Sequence, residues 1–175
     1  IVIRPVYMNK LTAIVNEFQK VTENELRNIE DEVKVIAKSI ELPSFVIDED
    51  SQFQLINALE CCPHGVIRWS ADMEDLVQTS TNLASVKSGP ENTITIVTTQ
   101  RSSVEAEKHE AGELVANCLK MAGATIKQSE GYPGWQPNLN SEILSITKNS
   151  YRKLFGREPL VRAIHAGLEC GLIYE

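Results

Sequence analysis

The stretch from Ser88 to Gly123 constrains the fold of this chain more than any other, because its side-chain period changes once and the change is marked at both ends. Ser88-Gly89-Pro90-Glu91-Asn92 is turn chemistry. Residues 77–87 alternate before it, residues 93–101 return as a Thr/Ile/Val-rich run, and the two read as a β-hairpin. Ser102-Ser103-Val104-Glu105 then matches the capping box, in which a Ser hydroxyl takes an amide of the first turn and the Glu reaches back to the cap amide. Behind it Val104, Ala111, Leu114, Val115, Cys118 and Met121 or Ala122 recur at helical spacing, and Gly123 closes the helix.

The rest of the chain is read around that hairpin and helix. Residues 1–8 are β-branched and apolar, and Pro5 makes them an edge strand or a strand end. Residues 11–29 place Leu11, Ile14, Val15, Phe18, Leu26 and Ile29 on one helical face, with an interruption expected near Val21. Residues 32–40 alternate as a strand with one wet face. Asp50 or Ser51 caps a helix carrying Phe53, Leu55, Ile56 and Leu59, which Pro63 and Gly65 end, and residues 72–76 re-enter structure. Residues 124–129 form a short strand. From 32 to 129 the order is strand, helix, strand, strand, helix, strand, which is the ferredoxin-like βαββαβ open-faced sandwich of the α+β class. Beyond Gly131 the pattern breaks. Asn140 or Ser141 then caps a helix ended by Gly156, and residues 160–164 read as a buried strand. The expected division is 1–31, 32–130 and 131–175.

With 42% hydrophobic and 23% charged residues among 175, a chain of this size buries roughly 70% of its unfolded surface. The net charge of −7 and a pI near 5.1 exclude a phosphate-backbone partner, because counterion release needs clustered Lys and Arg. The apolar runs are too short for a membrane span. Cys61, Cys62, Cys118 and Cys170 show no CxxC spacing and read as reduced thiols, which points to a cytoplasmic home.

The residues alone leave the chemistry open. His109 is followed by Glu113 where a zincin needs a second His, so a solvated helix face is expected. His64, beside Pro63, is expected to be a surface-loop histidine. His165 and Glu169 stand four apart between glycines, either as a packed strand-end histidine or as part of a site. Arg101 ends an otherwise uncharged strand, and its plain reading is a rim arginine paired with an acid. Ser80, Ser102 and Ser103 have no base placed by sequence, and no phosphate loop exists.

Three strings in order narrow the choice: Gln100-Arg101-Ser102-Ser103, Tyr132-Pro133-Gly134-Trp135 and His165-Ala166-Gly167-Leu168-Glu169-Cys170-Gly171. Together they resemble the aminoacyl-histidine dipeptidases, also called Xaa-His dipeptidases or peptidase D, of the two-metal aminopeptidase and carboxypeptidase superfamily. The resemblance is strongest from about residue 58 onward, and before residue 50 it rests on element order only. It implies a zinc-dependent hydrolase of Xaa-His dipeptides of the β-alanyl-histidine type, with two zinc ions (Zn) in the full-length enzyme. It also implies that this chain spans the second half of a lid and a partial α/β catalytic-domain segment. Arg101 then matches the clamp on the substrate's terminal carboxylate, and Gly167 matches a substrate-contacting glycine. His165 and Glu169 are further candidates. No catalytic residue and no metal ligand falls within the chain, which is expected to be inactive alone. Ile1 opens within an apolar run without an initiator Met, and Tyr174-Glu175 follows a buried-looking sequence, so both ends are expected to lie inside a longer protein. A homodimer is compatible with this reading.

The competing expectation is non-enzymatic: a ferredoxin-like dimerisation or small-molecule-binding regulatory module. It accounts for residues 1–129 but not for the strings beyond them.

Overall fold

The computed structural model describes residues 2–30, 32–129, 131 and 133–165. The chain divides into two compact units, Ile1–Glu49 and Asp50–Glu175.

In the first unit a short 3-10 turn, Pro5–Tyr7, leads directly into helix α1, Met8–Leu26. The edge strand expected over residues 1–8 is therefore absent. Pro5 explains the difference, since its fixed φ and missing N–H suit a first helical turn as well as a strand edge. Helix α1 runs through Val21 without a break. Its half-buried stripe is Leu11, Val15, Gln19, Thr22 and Leu26. Residues 32–40 belong to no strand ladder. Instead the Gln19 amide donates to the Val33 carbonyl at 2.9 Å and accepts the Val35 N–H. One side chain thus takes the hydrogen-bonding place of a neighbouring strand, and Val33 and Val35 keep the expected half-buried alternation.

The second unit is α+β. Helix α2, Glu49–Cys61, is followed by β1, Gly65–Trp69, by β2, Val77–Ser88, and by β3, Ile94–Ser102. Helix α3, Glu105–Met121, comes next, and α4, Glu142–Phe155, is last. The three strands are antiparallel in the order β1-β2-β3. The β2–β3 hairpin appears as expected. Its turn is closed by the Gly89 N–H on the Thr93 carbonyl at 2.8 Å, with Glu91 and Asn92 at positive φ. Strand β1 was not expected, because GVIRW is short, lacks alternation and follows a Pro-containing turn.

Helices α2 and α3 cover one sheet face. Ala58, Cys62, Val115 and Leu119 form the buried cluster, with Leu83 and Ile96 of the sheet and Ile126 packed against it. On β3 the residues facing this cluster alternate with Val97, Thr99 and Arg101, which point away. Residues 124–129 make no ladder, although Ile126 reaches the core. Among the described residues the sheet thus has three strands. The expected strand over 160–164 is also not formed, and Leu160 and Ile164 are exposed.

The capping box does not close either. Helix α3 begins at Glu105 with Val104 as an N-cap that makes no side-chain bond. The Ser102 hydroxyl accepts the Val104 N–H at 3.0 Å, before the helix begins, and Glu105 turns to Lys108 and Gly134, so the reciprocal pair of the box is not made. Helix α4 does cap as expected: the Ser141 hydroxyl accepts the Leu144 N–H at 3.2 Å, and Gly156 ends the helix at φ +67°. Ser141→Ala is expected to cost about 1 kcal/mol, the usual value of an N-cap, read as a lowered urea midpoint with an unchanged slope.

Candidate functional site

Three of the singled-out side chains meet at the end of the hairpin. Strand pairing sets Arg101 on β3 directly opposite Ser80 on β2, so both project from the sheet face not covered by α2 and α3. The Ser80 Oγ lies 2.7 Å from the His165 Nε2. Sequence reasoning left Ser80 without a base. Its partner comes from 85 positions away, a separation that no local pattern reports. Burial, and after it the positive charge of Arg101, push the His165 pKa below the ordinary histidine value, while the Val77 carbonyl pulls the other way. The ring is therefore neutral at pH 7.

Arg101 is exposed. Among the described residues no carboxylate forms a salt bridge with it. The rim ion pair of the plain reading is thus not what these residues supply.

The helix side of the same strand end is held by a dense polar network. Thr79 and Ser102 are buried, and their hydroxyls stand 2.8 Å apart. Thr79 also donates to the Glu107 carboxylate. Gln78 donates to both Glu107 oxygens, at 2.9 and 3.0 Å, and Arg68 pairs with the same carboxylate at 2.9 Å. The hydrogen bonds from Thr79 and Gln78 hold the Glu107 carboxyl below the usual carboxylate range, with Arg68 adding to them.

The third wall is the loop around Gly134. A Cβ on Gly134 would lie 2.6 Å from the Ser102 carbonyl oxygen and 3.1 Å from Ser103 backbone atoms. Only glycine lets this loop seat against the end of β3. The Gly134 N–H donates to Glu105 at 3.1 Å, and Lys108 and His109 also pair with that carboxylate. The Lys108 hydrogen bond is the largest cause of the lowered Glu105 pKa. A cavity of about 790 Å³ runs along β3 here, with Arg101, Lys108, His109, Trp135 and His165 among its lining residues. Trp135 of the YPGW string is one of its walls.

Of the remaining candidates, His109 lines the same cavity, while His64 and the described cysteines stand apart from it. His109 is 76% exposed and paired with Glu105, as its solvated-face reading requires. His64 is an exposed loop histidine, as expected, and its Nδ1 accepts the Leu83 N–H at 3.1 Å, where β2 departs from regular register. Cys61, Cys62 and Cys118 are free thiols. Burial, with Cys118 nearby, raises the Cys62 pKa, so the thiol stays protonated. Gly167 and Glu169 lie outside the described residues. Among the described residues no three His, Cys, Asp or Glu side chains stand together as a metal cage, and no helix is long and apolar enough to cross a membrane.

No family model matches the chain. It is 33% identical over 162 residues to the cytosol non-specific dipeptidase of Escherichia coli (strain K12), covering 93% of this chain and 33% of that protein. It is also similar to the crystal structure of aminoacylhistidine dipeptidase from Vibrio alginolyticus, with a TM-score of 0.86 and 32% identity, over 95% of this chain and 34% of the other. Sequence and fold agree over nearly the whole chain, which spans about a third of the length of either relative. In sequence and fold the chain is similar to these dipeptidases over the third of their length that it spans.

Proposed function

We propose that this chain is the substrate-gripping segment of a zinc-dependent dipeptidase acting on Xaa-His dipeptides of the β-alanyl-histidine type in the cytoplasm. The observation that carries this reading is the placement of Arg101. In a chain similar to dipeptidases, this exposed arginine lines a cavity beside Ser80 and a neutral His165. A guanidinium donates two parallel hydrogen bonds to a planar carboxylate, which fixes both the position and the rotation of a dipeptide's terminal acid. A neutral imidazole next to it adds no competing charge, and its bond to Ser80 keeps the ring at a fixed distance from the clamp. Gly167, and with it Glu169, are proposed to complete the substrate-contacting loop that follows His165.

In this reading residues 1–31 and 32–130 belong to a lid, and 131–175 return to a catalytic domain. This chain's own donor set does not fit a zinc ion, since its described acids and histidines are dispersed. The two zinc ions are assigned to residues of the full-length enzyme outside this chain. A homodimer of that enzyme is compatible with the proposal.

The test is hydrolysis of β-alanyl-histidine by the full-length enzyme with and without a chelator, beside the isolated chain supplied with zinc. The full-length enzyme is expected to lose turnover on chelation and to recover it with zinc. The isolated chain should match a metal-only control. Turnover by the isolated chain would remove the assignment of the metal site to other segments.

A further inference from the structure

The polar network beneath Arg101 has a single allowed direction. A carboxylate only accepts, so the Thr79 hydroxyl spends its proton on Glu107 and its oxygen is left to accept. The Ser102 hydroxyl, 2.8 Å away, must then donate to Thr79. Ser102 Oγ in turn accepts the Val104 N–H at 3.0 Å. The chain of bonds runs from the Val104 amide through Ser102 and Thr79 to an anion. Such directed chains polarise one another when they are buried, and Thr79 and Ser102 are 1% and 8% exposed. The same anion collects Gln78 of β2 and Arg68 of β1. One carboxylate on α3 therefore ties down all three strands, and its last grip on β3 is Ser102, the residue after Arg101. The Ser103 N–H adds a bond to the Gln78 carbonyl at 3.2 Å.

We infer that Glu107 is a positioning residue for Arg101: through Thr79 and Ser102 it fixes the end of β3 from the helix side, so that the guanidinium on the opposite face points at one place. This rests on the reading of Arg101 as a carboxylate clamp. The lowered pKa of Glu107 agrees with it, because the donors around it favour the anion that the bond direction requires.

The experiment compares the full-length enzyme with its Glu107→Gln, Thr79→Val, Thr79→Ser, Ser102→Ala and Arg101→Ala variants. For each, kcat and KM are measured on a dipeptide and on the same dipeptide with its C-terminus amidated. A clamp favours the acid over the amide, so its positioning is read in that preference and not in overall activity. Thr79→Val and Glu107→Gln are expected to lower the preference about tenfold, mainly through KM of the acid, a shift in keeping with a displaced substrate-positioning group. Ser102→Ala cuts the link to β3 while leaving Glu107 its other donors, and should show a comparable loss in a folded enzyme. Thr79→Ser keeps the hydroxyl and should restore the preference. Lower melting temperatures with the preference intact in Glu107→Gln, Thr79→Val and Ser102→Ala would overturn the positioning role while Arg101 stands. A preference that survives Arg101→Ala would remove the clamp, and the role of Glu107 with it.

Discussion

Replacing Arg101 by Ala in the full-length enzyme is expected to lower kcat/KM on a dipeptide about a hundredfold while leaving the thermal unfolding of this segment nearly unchanged. The size follows from the bonds removed. Hydrogen bonds to charged groups contribute about 1.5–3 kcal/mol each, and a bidentate pair in a partly screened cavity mouth is put at about 3 kcal/mol, or about a hundredfold. The small stability effect follows from exposure, since Arg101 has no salt bridge among the described residues. Arg101→Lys keeps the charge but loses the fork, so it should fall between wild type and Ala. If the carboxylate grip is equal in ground and transition states, the loss appears in KM; if it aligns the scissile carbonyl, it appears in kcat as well. Steady-state kinetics of both variants separate these outcomes. Wild-type constants for Arg101→Ala together with a lowered melting temperature would make the residue structural.

What the sequence made legible was local. The β2–β3 hairpin is announced by turn residues at 88–92, and α4 by Ser141 and Gly156, because each signal acts through bonds within four residues of itself. Two of the failures are cases where a distant partner took a group away. Ser102 and Glu105 have the right spacing for a capping box, but Thr79 and Gly134 reach them from 23 and 29 positions away. Residues 32–40 alternate like a strand, yet a glutamine on α1 answers their hydrogen bonds. The site shows the same division. Arg101 was found through its family string, whereas its neighbours Ser80 and His165, and the carboxylate of Glu107 behind them, are joined only by tertiary folding. An acid such as Glu107, flanked by ordinary helix residues, carries no sequence mark that separates it from Glu110 or Glu113.

Gly134→Ala should destabilise the second unit by about 1–3 kcal/mol, the cost of forcing an extra methyl into a packed contact, and Gly112→Ala is its counterpart of opposite sign. The added Cβ at 134 would meet the Ser102 carbonyl oxygen at 2.6 Å and Ser103 backbone at 3.1 Å. All of these atoms are backbone, so no rotamer change relieves the clash, and the loop must lift from β3. Lifting it breaks the Gly134 N–H bond to Glu105 and moves Trp135 along the cavity wall. The same substitution at Gly112, inside α3, meets only the end of the Gln128 side chain at 3.9 Å. There the methyl lowers the backbone entropy of the unfolded chain without a steric cost, and about 0.5–1 kcal/mol of stabilisation is expected. Urea unfolding of the two variants beside the wild-type chain measures both signs at once. In the full-length enzyme Gly134→Ala should also raise KM, since the wall it displaces adjoins the clamp. Equal stability of Gly134→Ala and wild type would mean that the loop seats elsewhere, and that the glycine of the YPGW string is kept for another reason.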